Sequence, residues 1–184
     1  MYFSLINDIK CNSDIYIREP KDLPTELDFM SGEEISIQVD NPMVFTTNAK
    51  AGDKLRAFYK SSFTIMSKAF LALMQEAGVD NLQVFPIVIK STEDGTIWDD
   101  YYGVNILGVV KCADLSQSTY DEIMTGHYAF DELAIDVSLI NNQLLFRLQE
   151  HLPTIIMHRS VGRYIKDRDP EKVLAGWSVK KIIQ

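Results

Sequence analysis

The 184-residue chain carries 26 Asp and Glu against 18 Lys and Arg, a formal net charge of −8, and is 46% apolar. That length suits one domain, or one domain with a small lobe, and buries a core without a disulfide or metal staple. No apolar run approaches the roughly 18 residues of a membrane span. The opening Met1–Asp8 has no basic stretch before its apolar patch, which predicts a chain kept in the cytoplasm. The two cysteines, Cys11 and Cys112, stand in no ligand spacing and are read as reduced thiols.

In chain order, Tyr2–Ile6 and Ile15–Arg18 read as strands, followed by the proline-punctuated connector Glu19–Pro24. Glu33–Val39 alternates Ile35, Ile37 and Val39 with polar residues, the mark of a one-sided strand, and Met43–Thr46 reads as another. The centre of the chain is a strand–helix–strand unit. Phe63 and Ile65 open it, Ser67 caps a helix bearing Phe70, Leu73, Met74 and Ala77 on one face, and Gly78 ends that helix. The apolar run Leu82–Ile89 predicts a strand buried on both faces.

Beyond a loop around Asp94-Gly95, Tyr101–Val110 reads as one strand whose glycines, Gly103 and Gly108, mark bulges or close backbone approach. Thr119–Met124 reads as a single helical turn, and Leu133–Val137 with Leu144–Leu148 as a strand pair. A second strand–helix–strand unit closes the chain: Thr154–His158, a helix over Ser160–Lys166, a further helical start at Val173-Leu174, and Trp177–Ile183. Many strands and few helices predict an α+β fold with a mixed or antiparallel sheet, and the two similar units suggest a repeat.

Charge is unevenly distributed. Residues 80–145 hold eleven acids against Lys90 and Lys111, a net of −9, whereas residues 146–184 carry a net of +4. The acidic segment repels a phosphate backbone and attracts a basic protein surface. His127, His151 and His158 lie in no metal-ligand spacing, and neither a nucleophile elbow nor a phosphate-binding glycine loop is present. The doublets Asp99-Asp100 and Asp121-Glu122 read as solvated carboxylates, since strand neighbours point to opposite faces. Arg147 lies inside an apolar run, where a buried guanidinium needs partners; a salt bridge to Asp136 or Asp114 is expected. Asn105, between Val104 and Ile106, is expected to bond a neighbouring backbone group. Trp98-Asp99-Asp100-Tyr101-Tyr102 joins aromatic anchors to carboxylates, a composition suited to a protein interface as well as to inward packing of Trp98.

Several passages, taken in order, resemble a bacterial family. They are Met66–Phe70 leading through Gly78–Pro86; Tyr102–Leu107; Leu115, Ser118 and Tyr120; and Leu145–Leu148. The family is the polymorphic-toxin immunity proteins of immunity family eleven, formerly a domain of unknown function. The likeness runs over about residues 60–166, so residues 1–55 are taken as an N-terminal strand-rich segment or small lobe and 56–184 as the main domain. The resemblance implies a cytoplasmic inhibitor, without cofactor or metal, that binds a cognate secreted toxin. Toxins beside this family are often nucleases of Rhs or type VI secretion effectors. On this reading the toxin meets Trp98, Asp99, Asp100, Tyr101, Asp121, Glu122, Asp131 and Glu132. An enzyme using Arg147 with Asp131 or Asp136, and a purely structural assembly module, are the rival readings. Oligomeric state stays open.

Overall fold

A computed structural model describes residues 1–8, 10–39 and 42–184. The elements are β1 (Tyr2–Asn7), β2 (Ile17–Arg18), β3 (Met43–Thr47), β4 (Phe58–Lys60), β5 (Thr64–Ser67), α1 (Lys68–Glu76), β6 (Leu82–Ser91), β7 (Ile97–Ile106), β8 (Val109–Val110), β9 (Thr119–Met124), β10 (His127–Glu132), β11 (Leu145–Leu148), β12 (His151–His158), α2 (Arg159–Arg168) and β13 (Trp177–Lys181). They build a five-stranded sheet in the order β13-β1-β12-β11-β8, a six-stranded sheet in the order β2-β3-β6-β7-β5-β4, and a separate β9–β10 hairpin. The class is α+β, as expected.

The two strand–helix–strand units share one topology. β5 and β6 both run antiparallel to β7, which lies between them; β12 and β13 both run antiparallel to β1, which lies between those. Each is a split β-α-β unit, in which the helix carries the chain over an intervening strand. The helices meet at Glu76, whose carboxylate accepts from the Tyr164 hydroxyl at 3.2 Å and lies 3.9 Å from Arg168 Nε.

One face of each sheet and both helices fill a common first cluster, with Leu5, Met66, Phe70, Met74, Val104, Ile155, Val161 and Ile165 at its heart. The other face of the six-stranded sheet holds a second cluster with Phe29, Phe45, Ile87 and Tyr101. The other face of the five-stranded sheet holds a third, with Tyr2, Phe146, Ile156 and Ile182. β6 supplies Leu82 and Val84 to the first cluster and Ile87 and Ile89 to the second, the two-sided role its apolar run predicts.

Ser67 caps α1 by accepting from Phe70 N at 3.3 Å, and Gly78, at φ +93°, turns the chain out of the helix in a conformation costly for other residues. At α2 the cap is His158, whose Nδ1 faces Ser160 N at 3.3 Å. Burial, then the nearby chain amino group, holds this imidazole below its ordinary pKa of 6.5. The unfolded chain therefore binds the proton more readily, so stability should be full above about pH 6.5 and fall as pH drops below it. His158→Asn keeps a capping acceptor and cannot titrate. Its thermal midpoint should change less between pH 7.5 and 5.5 than that of the parent; an equal change would exclude the cap as a source.

Several elements depart from expectation. Glu33–Val39 is not a strand. Ile35 N instead donates to Gln83 Oε1 at 2.9 Å, Gln83 Nε2 donates to Ile35 O at 2.7 Å, and Asn105 Nδ2 donates to Glu33 O at 2.7 Å. Gln83 and Asn105 are register partners on β6 and β7, so two side-chain amides occupy the place of a strand ladder. Asn105 thus bonds backbone, as expected. Tyr101–Val110 is two strands: the chain passes between sheets at Leu107-Gly108, with Gly108 at φ +100°. Leu144–Leu148 does not pair with Leu133–Val137. β11 lies between β12 and β8, because the short link Gln149-Glu150 brings β12 back beside it. Val137–Leu139 is one 3-10 turn capped by Asp136. Nor does a helix start at Val173-Leu174, whose amides donate to the Asp169 carboxylate at 2.8 and 2.9 Å.

A candidate docking surface

Thr119–Met124, expected as a helical turn, is instead β9, paired with β10 through a Thr125-Gly126 turn with Gly126 at φ +80°. β-Branched Thr119 and Ile123 beside Tyr120 suit a strand better than a helix. Tyr120, Tyr128 and Phe130 pack edge-on or tilted, 5.0–6.0 Å between ring centres, on one face of the hairpin. Phe130 reaches the third cluster, Tyr128 N donates to Glu150 O at 2.9 Å, and Lys180 Nζ donates to Asp131 O at 2.8 Å. These contacts hold β10 from Tyr128, two residues past the turn, to Asp131, and leave β9 in solvent.

All six residues of β9 are exposed, Ile123 by 66% and Met124 by 63%. Asp121, Glu122, Asp131 and Glu132 are exposed too, and none forms an ion pair among the described residues. Asp114 and Asp136 lie nearby but are occupied in turns. Asp114 accepts from Ser116 and Gln117, and Asp136 from Ser138; those bonds hold both carboxyls below the usual range. The hairpin thus joins exposed carboxylates to uncovered apolar side chains, with Glu122 Oε1 also accepting from Gly126 N at 3.2 Å in its turn.

The other predicted group sits elsewhere. Trp98, Asp99, Asp100 and Tyr101 are on β7, where Ile89 pairs with Trp98 and Ile87 with Tyr101. Two residues of β7 therefore face one of β6, a β-bulge, and both Asp99 and Asp100 are exposed rather than divided between faces. Trp98 is half-buried against the second cluster. Tyr101, only 5% exposed, belongs to that cluster, so its expected role as a surface contact is corrected: it supports the strand from beneath. The two acidic groups adjoin different clusters, the second and the third, on outer faces of different sheets.

Arg147 is 1% exposed and makes no ion pair with Asp136 or Asp114. Its Nη1 donates to Leu152 O at 2.9 Å, and its Nη2 to Phe29 O at 2.8 Å and Thr64 Oγ1 at 3.2 Å. Asp136 ends in a surface turn and Asp131 on the hairpin, so neither carboxylate converges with the guanidinium. Burial pulls its pKa down to about 10, with Asp28 opposing, and it stays cationic at neutral pH. Arg147 on β11 thus ties the five-stranded sheet to β5 and to the segment beneath the six-stranded one. Asn81 makes a second tie, donating to Leu107 O and to Leu145 O.

Among the described residues no group of three His, Cys, Asp or Glu side chains could hold a metal ion, and no helix is long and apolar enough to cross a membrane. Cys112 is buried, and burial, then Glu150 and Asp136, pushes its thiol up to about 12. Cys11 is half-exposed. A disulfide-exchange reagent at pH 8 should therefore label one thiol in the folded protein and two in denaturant; two rapid folded-state reactions would contradict the burial.

Two sheets share a buried core with two helices, and an acidic hairpin stands exposed at one face. The model of the Immunity protein family Imm11 matches residues 7–183, and the chain belongs to that family. Its role is accordingly toxin immunity, that of an inhibitor that binds a cognate toxin. No curated protein matches the chain.

Proposed function

We propose that the protein neutralises its toxin by presenting the β9–β10 hairpin to a basic face of the toxic domain, a nuclease delivered by an Rhs or type VI secretion effector. Asp121, Glu122, Asp131 and Glu132 steer and select, and Ile123 and Met124 anchor. The observation that carries this reading is an exposed strand that sets carboxylates without ion pairs among the described residues beside exposed Ile123 and Met124. A nuclease cleft is lined with cations for the phosphate backbone, so its surface complements such a hairpin. Asp99 and Asp100, beside Trp98, form an outlying second group on another face. The inhibitor acts in the cytoplasm, where the nuclease would reach nucleic acid.

The test is titration of the toxic domain encoded by the adjacent gene. Nuclease activity should vanish as the ratio reaches one to one, with a complex of that stoichiometry in solution. Complete protection at far below one inhibitor per toxin would mean turnover, and the docking account would fail.

A further inference from the structure

The face of the five-stranded sheet opposite the hairpin carries a groove of matching chemistry. Arg159, Arg163 and Lys166 recur at i, i+4 and i+7 along α2, forming one stripe beside the helix's buried face. Together with a floor of Phe3, Met157, Trp177 and Val179 they line a cleft of about 470 Å³. A second cleft, about 270 Å³, shares Lys166 and Trp177 and continues to Lys172. Gly162 keeps α2 close to the sheet, since a Cβ there would stand 3.1 Å from Met157 Cε. The Lys166 ammonium lies 5.8 Å over the Trp177 ring.

No carboxylate among the described residues pairs with the three cations; the ion pair of this region joins Arg168 to Glu76. Asp167 is the acid on the first cleft's rim; the second holds Asp8, whose Oδ1 accepts from Lys10 N, and Asp169, bonded to backbone amides. An apolar floor under a cationic rim suits a segment with apolar anchors flanked by carboxylates. The hairpin of this same chain has that composition.

We propose that the groove receives the β9–β10 hairpin of a second copy, Ile123 entering over Trp177 and Val179 while Asp121, on the same face of β9, meets Arg159, Arg163 and Lys166. The two surfaces cannot meet within one chain. β13 turns Val179 into the groove and Lys180 to the other face, where it holds Asp131. β10 is pinned there near its turn, where Tyr128 N donates to Glu150 O. Each copy therefore uses different patches for its two neighbours, giving a head-to-tail contact rather than a closed twofold pair. A hairpin tip covers less than the roughly 800 Å² per partner of a stable complex, so the association is weak and easily displaced. The proposal does not rest on the toxin's identity; a toxin on the hairpin would compete with it.

Sedimentation of the full chain up to about 0.5 mM tests this, where even a weak contact is populated. Association should grow with concentration and be weaker at about 0.15 M than at about 0.01 M salt, as the Debye length shortens from about 30 to about 8 Å. The groove variant R159E/R163E and the hairpin variant D121K/E122K, all exposed sites, should each be monomeric with unchanged circular dichroism. Mixed, they should associate again and not stop at a pair, because the intact groove of one meets the intact hairpin of the other and the two reversed surfaces are complementary in turn. A parent chain that stays monomeric at low salt overturns the proposal, and would leave the groove to an acidic segment of another protein. Self-association that survives both variants, or a mixture that does not pair, overturns it equally.

Discussion

Arg147→Ala is expected to lower unfolding free energy by about 3–5 kcal/mol, a large share of the roughly 5–15 kcal/mol that holds a domain together. The change removes a side chain with no access to water and opens a cavity between β11, β5 and the Phe29 segment. It also strands the carbonyls of Phe29 and Leu152, each worth about 1–3 kcal/mol when left unpaired in the interior. Arg147→Met, which restores much of the volume but none of the donors, should cost less. Arg147→Lys should fall between Ala and the parent, because a single ammonium cannot span acceptors that a planar guanidinium reaches from two nitrogens. Urea unfolding provides the readout: a lower midpoint at constant slope marks lost stability rather than a changed unfolded state. Loss of less than about 1 kcal/mol in Arg147→Ala would mean that the sheets are held by their apolar contacts alone, against the reading of the guanidinium as a tie.

Charge reversal on the hairpin, D121K/E122K, should slow association with the toxin at least about tenfold at low ionic strength, with the deficit shrinking as salt rises. Both positions are exposed and make no ion pairs in the described residues, so the fold should survive. Truncating the anchors, I123A/M124A, should act differently: association little changed, dissociation faster, and affinity lower by about 1–3 kcal/mol. Reversal at Asp99 and Asp100 should matter less, since these adjoin a different cluster on a different sheet. Stopped-flow binding separates the cases. Equal slowing by D99K/D100K and D121K/E122K would show that the field of the whole molecule, rather than the hairpin, does the steering.

The parts of this fold legible in the sequence were those set by local rules. Ser67 and Gly78 bracket α1 because a capping hydroxyl and a left-handed residue leave recognisable letters, and the apolar run of β6 announces burial on both faces. Asn105 in an apolar strand could be read as a backbone-bonding amide. What could not be read depended on partners distant in the chain. Two of the three acceptors of Arg147 are main-chain oxygens, identical at every position, so nothing marks Phe29 or Leu152 as its mates, and a carboxylate is the partner that charge alone suggests. Glu33–Val39 has a strand's alternation, yet its backbone is satisfied by the amides of Gln83 and Asn105. β9 was missed as a strand because Tyr120, Tyr128 and Phe130 pack largely on one another, leaving no core-facing pattern to detect. Its acids were nonetheless picked out by charge, and the bulge that exposes both Asp99 and Asp100 follows from a register no single strand reveals. The passages resembling the immunity family hold much of the junction between sheets, with Asn81, Leu107, Leu145 and Arg147 among them.

Hydrogen exchange of the inhibitor, free and with its toxin, tests the central claim most directly. The account predicts that amides of residues 119–132 gain the greatest protection in the complex, while those around Trp98–Asp100 change little. Protection concentrated on β7 or along α2, with the hairpin exchanging as freely as before, would contradict it.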